Sequence, residues 1–203
     1  PDDPGDACDD ASPGTLPTPT VDDTCLVPSG WGLFEPTVEW QWSSNPAFPS
    51  YHQNMATPMV ANLTDDNGDG LIDESDIPDI VFTSFSGGSY SSAGTLTAIS
   101  GDGSGQHWSV SQVSGYRPFG AGGVAIADLE GDGSPDVCVA SADVSVMCLE
   151  HDGSFKWASG GTTHYYGVPT IADLDANTAD PNLADWIGAD LSGGEFSGFK
   201  LET

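Results

Sequence analysis

From Trp31 onward the chain is a succession of short apolar runs separated by turns rich in Gly, Asp and Ser, with no long stretch of helical periodicity. WGLFEPTVEWQW is aromatic and partly alternating, which predicts a strand over Trp31 to Trp42. Three later segments share one pattern: MVANLTDDNGDGLIDESDIPDIVF from Met59, VAIADLEGDGSPDVCVA from Val124 and PTIADLDANTADPNLADWIGA from Pro169. Each runs from a small apolar strand through Asn or Asp, then Leu, into an acidic loop and a second apolar strand. Asn62, Asp128 and Asp173 stand at the corresponding position.

A third strand follows in every repeat: GTLTAIS, VSVMCLE and FSGFKLE. After the first two come SGDGSGQHWSV and HDGSFKWAS, each an Asp-Gly turn and a fourth strand bearing a Trp. Four short antiparallel strands per repeat predict an all-β chain of three propeller-type blades, at about 56–115, 116–163 and 164–203. Residues 1–30 are rich in Pro, Asp, Thr and Ser and lack apolar periodicity. They read as an extended arm or linker, with or without sugars on Ser and Thr, or as a plain disordered tail.

The acidic loops carry the chemistry. In DDNGDGLIDESD, Asp65, Asn67 and Asp69 alternate so that their oxygens can converge, and Gly70 allows the sharp turn. Leu71 offers a carbonyl, and Asp73 and Asp76 take the remaining ligand positions. An alignment of Asn62 with Asp128 would make this loop an expanded form of the second and could bring in Asn62 or Asp79. The second loop offers Asp128, Glu130, Asp132, the Ser134 carbonyl and Asp136 around Gly133. The third keeps Asp173, Asp175 and Asn177 but has no such glycine, and is balanced between a site and a merely polar loop. Hard oxygen ligands without His or Cys favour calcium.

Charge sharpens this. The chain has 31 acidic residues against 3 basic ones, Arg117, Lys156 and Lys200, for a formal charge of -28. Such a surface repels nucleic acid and anionic membranes and attracts cations. No apolar run is long enough for membrane insertion. The chain does not begin with Met and shows no signal-peptide core at its start; if it is exported, its targeting segment is already gone. Cys8, Cys25, Cys138 and Cys148 make an even count that fits an oxidising compartment. Folding DVCVASADVSVMCLE about a turn near Ala142 and Asp143 sets Cys138 opposite Cys148, leaving Cys8 to pair with Cys25.

These loops and strands resemble FG-GAP repeats, the calcium-binding blades of integrin alpha subunits and many secreted bacterial proteins, including the related VCBS repeats. The match is closest at FGAGGVAIADLEGDGSPDVCVA, where Phe119-Gly120 opens the repeat; Tyr166-Gly167 opens the third. The resemblance covers roughly Ala56 to the C-terminus and implies a propeller of about seven blades. Three repeats leave two open edges. Either the chain is part of a longer product, or Trp31 to Trp42 or a neighbouring copy covers them, the latter generating a homo-oligomer or polymer.

No GxSxG or HExxH motif occurs, and three basic residues are few for a calcium-dependent lyase. His107 and His151 read as turn-region residues of equivalent Asp-Gly hairpins, and His164-Tyr165-Tyr166 as loop residues or a sugar-stacking group. The expectation is a non-enzymatic, secreted, calcium-stabilised adhesion or structural module, a cell-surface or fibre-forming subunit. Its partners would be copies of itself, a glycan or a surface protein. The alternative is a calcium-dependent lectin or carbohydrate-active enzyme domain.

Overall fold

The computed structural model describes residues 36–172 and the strands Trp186–Asp190 and Phe196–Lys200. The chain divides into Pro1–Glu39 and Trp40–Thr203, and all described strands belong to the second part. The predicted arm, Cys8, Cys25 and the third-loop residues Asp173, Asp175 and Asn177 lie outside the described residues.

The described residues are all-β, without a helix. β1 (Met59–Ala61), β2 (Asp79–Ser84), β3 (Thr95–Ser100) and β4 (Gln106–Val110) form one antiparallel sheet in chain order. β5 (Val124–Ala127), β6 (Asp136–Ala140), β7 (Val146–Leu149) and β8 (Phe155–Ala158) form a second. β9 (Thr170–Ala172), β10 (Trp186–Asp190) and β11 (Phe196–Lys200) form a three-stranded sheet. The two complete sheets share an irregularity in their last ladder, between Ala98 and Ile99 and between Cys148 and Leu149.

The middle strands are buried on both faces because the sheets stack. Val137, Val139, Met147 and Leu149 join Leu63, Val81, Leu96 and Ala98 in one core. The alternate residues Cys138, Val146 and Cys148 pack on the opposite face with Leu129, Trp157 and Ile171. The period of two is intact, but both phases are buried, so β6 and β7 read as continuous apolar runs. Cys138 stands directly opposite Cys148, and the two are joined by a disulfide.

The expected strand over Trp31 to Trp42 is not seen in its described part: residues 36–42 join no ladder. Residues 40–48 instead lie against the first sheet. Asn45, fully buried, donates from Nδ2 to Thr97 Oγ1 (3.2 Å) and Ser109 Oγ (2.8 Å). Its Oδ1 accepts from the backbone of Ala47 and Phe48. Trp42 meets Phe82 edge-on at 4.8 Å. These bonds go to side chains on the sheet face, so the segment caps that face and adds no strand to the edge.

One contact recurs between successive elements. Trp108 of β4 lies on Gly153 in the β7–β8 turn, where an added Cβ would come within 2.8 Å of the indole, and its Nε1 donates to His151 O at 2.8 Å. Trp40 lies the same way on Gly103 of the β3–β4 turn, where a Cβ would come within 2.6 Å. Both glycines have positive φ, so each turn requires glycine for its backbone as well as for the ring above it.

Candidate metal centre

The β1–β2 and β5–β6 connections hold the two described acidic loops, and they are built alike. Asp65 Oδ1 accepts from Gly68 N (2.6 Å) and Asp69 N (3.2 Å), and its Oδ2 from Gly70 N (2.8 Å). Asp128 Oδ1 accepts from Gly131 N (2.7 Å) and Asp132 N (3.2 Å), and its Oδ2 from Gly133 N (2.8 Å). Asp69 then accepts from Leu71 N as Asp132 does from Ser134 N. Gly68, Gly70, Gly131 and Gly133 all take positive φ, which turns successive N–H groups onto one carboxylate. Gly70 and Gly133 are legible as turn residues from the motif, and the signal for Gly68 and Gly131 is that they occupy matching places in the two motifs.

This pairing resolves the register. Asp65, rather than Asn62, is the counterpart of Asp128 at the head of the loop. A second equivalence is anchored at the strand: Leu63 N donates to Asp79 Oδ2 at 2.9 Å as Leu129 N does to Asp136 Oδ2 at 3.0 Å. In the second loop Asp128 both precedes this leucine and heads the turn. In the first loop Asn62 precedes the leucine, and its amide donates to Asp73 O. The first loop is thus the second with residues inserted on both sides of the turn, before Asp65 and, at greater length, ahead of the strand.

That insertion is organised by Asp76, which is buried. Its Oδ2 accepts from Asp73 N (2.9 Å), and its Oδ1 from Asp66 N (3.0 Å) and Asn67 N (3.3 Å). These N–H groups, Asp73 first, hold its carboxyl below the usual range against the opposing effect of desolvation. Asn67 and Asp73 each accept from a backbone N–H two residues on, leaving their remaining side-chain lone pairs open. Asp65, Gly70, Leu71, Asp132, Gly133 and Ser134 line a shared cleft of about 380 Å³ between the loops.

Among the described residues, Asp128, Glu130 and Asp136 bring carboxylate oxygens within 4.8 Å of one another, a spacing able to hold a metal ion. Asp132 is not in that trio, and the first loop forms no such carboxylate trio. The chain brings its own cation to the second loop. Lys156 Nζ contacts Glu130 Oε1, lies 3.1 Å from Asp136 Oδ1 and 3.3 Å from Glu150. Burial lowers the ammonium pKa, but these carboxylates outweigh it and raise it. Burial pushes Asp136 up to about 7, aided by Glu130 and opposed by Leu129 N–H and Lys156.

The equivalent of Lys156 in the first sheet is His107, because each precedes the fourth-strand tryptophan. His107 Nε2 lies 2.7 Å from Oδ1 of buried Asp79. His107 is therefore a strand residue paired with the β2 aspartate, which corrects its expected place in a turn region, whereas His151 does lie in the β7–β8 turn. The alignment of QHW with FKW was the available signal. Arg117 is also paired, its guanidinium forked onto Asp143 at 2.6 and 3.0 Å. His164, Tyr165 and Tyr166 form an aromatic group with Tyr90, in which Tyr90 and Tyr166 are stacked at 6.0 Å.

The crystal structure of the V. cholerae biofilm matrix protein Bap1 is similar, with 31% sequence identity and a TM-score of 0.60. The match covers 79% of this chain and 28% of that one, so the chain spans little more than a quarter of that structure's length. No family model matches the chain, and no curated protein does.

Proposed function

We propose that the chain is a calcium-braced, non-enzymatic module of an extracellular matrix or cell surface, built from FG-GAP or VCBS-type propeller blades. The observation that carries this reading is the matched geometry of Asp65 and Asp128, each gathering three backbone N–H groups at the head of an acidic turn. Acidic turns of this kind gather oxygen ligands around a cation, and Asp128, Glu130 and Asp136 lie at a spacing able to hold one. Stacked four-stranded sheets support the blade reading, as does the placement of β1 beside β5 and β5 beside β9. The Cys138–Cys148 disulfide and the likeness to a biofilm matrix protein support an extracellular setting.

In this reading calcium acts mechanically. With a formal charge of -28, the clustered carboxylates repel one another, and Arg117 and Lys156 are already paired. Calcium from solution offsets that repulsion and pins the first two strands of each sheet together. Binding to the folded form alone adds stability by mass action. The work of the module is then cohesion, through copies of itself, a surface protein or a glycan. The test is thermal unfolding of the chain against calcium concentration, with magnesium as control. A rise in Tm that tracks calcium and is abolished by chelator supports the proposal; identical melts with calcium and with excess chelator refute it.

A further inference from the structure

Asn67 is the only asparagine of the chain that is followed by glycine, and both residues are exposed in the first acidic loop. The amide carbon of an asparagine and the next backbone nitrogen can close a small ring, a succinimide, because they are held close by the chain itself. Glycine crowds that nitrogen least. Gly68 has φ of +76°, and a Cβ added to it would meet nothing within 4 Å. Two neighbours then supply what the closure needs. Gly68 N–H donates to Asp65 Oδ1 at 2.6 Å, which sets a carboxylate on the proton that the nitrogen must lose. Asn67 Oδ1 accepts from Asp69 N–H at 2.9 Å, a donor aimed at the oxygen on which charge develops. Asp69 shares that N–H with Asp65 Oδ1 at 3.2 Å. The Gly68 N–H lies in the peptide plane, so its bond to Asp65 leaves the face of the nitrogen open to attack.

We infer that the first loop modifies itself at Asn67, with Asp65 as the base. Gly68 N bonds to Asn67 Cγ while Asp65 takes its proton and Asp69 N–H holds the oxyanion. The tetrahedral centre collapses, the Cγ–Nδ2 bond breaks, and the proton passes from Asp65 to the departing nitrogen, which leaves as ammonia. Water then opens the ring at one carbonyl or the other, giving aspartate or isoaspartate; nothing is oxidised or reduced. The isoaspartate product runs the main chain through the former side chain. That lengthening draws the Gly68 and Gly70 N–H groups off Asp65, so the turn is undone in one direction only. The second loop repeats the frame through Asp128, Gly131 and Asp132, but Glu130 stands in the place of Asn67 and has no amide to lose. The change is therefore confined to the first loop.

The experiment incubates the full chain in buffer and in urea, and follows ammonia release together with peptide mapping at residue 67. Chelator is present throughout, so the result does not depend on the calcium reading. Asn67 should convert on the order of 100-fold faster in the folded chain than in the unfolded one, the usual worth of a placed base. Asp65→Asn should bring the folded rate down towards the unfolded rate, and its Tm shows that the variant is still folded. Asn67→Asp should abolish ammonia release from this peptide, and isoaspartate should be found there in the aged parent. The inference is overturned if residue 67 stays asparagine, if the folded chain converts no faster than the unfolded one, or if folded Asp65→Asn converts as fast as the parent.

Discussion

Lys156 of β8 sets its ammonium 3.1 Å from Oδ1 of Asp136, the buried carboxylate that opens β6. The corresponding position in the first sheet sets His107 Nε2 2.7 Å from Asp79 Oδ1. The second pair reaches into an acidic loop, because Glu130 contacts the same ammonium and Asp128 lies within the same trio. A metal ion held by that trio would therefore compete with Lys156 for Asp136 and Glu130. Lys156→Met should cost roughly 3 kcal/mol or more in chelator, since a buried carboxylate loses its partner. Calcium should restore most of that loss, and the variant should bind calcium more tightly than the parent. Urea unfolding in calcium and in chelator measures both effects.

Asp65 and Asp128 make the same three backbone bonds, so their removal should cost alike. Asp65→Ala and Asp128→Ala are each expected to lose about 1–2 kcal/mol in chelator, where only the turn is at stake. In calcium each should also lose part of the metal-dependent rise in Tm. Paired denaturation curves with and without calcium check this.

Acid should act on the two loops with opposite sign. Asp76 is held below its ordinary value of 3.8, so its contribution is complete above 3.8 and is lost as pH falls through the lower folded value. Asp136 is raised from 3.8 to about 7, so the folded chain binds that proton more tightly than the unfolded chain. Its penalty is full above pH 7 and is relieved as pH falls from 7 towards 3.8. In chelator, Tm should rise on mild acidification and then fall below about 3.8. Asp136→Asn should flatten the first limb and leave the second.

The disulfide closes a short loop, Cys138 and Cys148 being separated by 10 residues. Its loss through Cys138→Ala with Cys148→Ala should cost about 2–3 kcal/mol, by releasing chain entropy in the unfolded state. The pair is also core, packed with Leu129 and Val146, so the two missing sulfurs add a packing loss. Equilibrium unfolding of the double variant against reduced and oxidised parent separates the two effects.

Gly153→Ala places a methyl into the Trp108 indole on a backbone with φ of +83°. The expected cost is roughly 1–3 kcal/mol with a change in tryptophan emission. Gly103→Ala should behave alike through Trp40. Melting curves followed by tryptophan fluorescence would show it.

Local chemistry made much of this legible. The repeat marked the two complete sheets, because apolar runs, Asp-Gly turns and alternation act over a few residues. A strand–turn–strand reading of residues 136–149 places Cys138 opposite Cys148, and the chain joins them there. The aromatic run ending at Trp42 misled, because a strand and a capping segment bury aromatics alike. What distinguishes them is whether the backbone or a side chain such as Asn45 makes the bonds.

The amino-acid order alone determined where the strands of the two complete sheets run, where the acidic loops lie and that the chain is strongly acidic, since each follows from neighbours in the chain. Tertiary structure decided what fills those loops and faces. Lys156 reaches Asp136, and Trp40 covers Gly103. These meetings depend on sheet register and stacking, which bring together side chains that no local period relates.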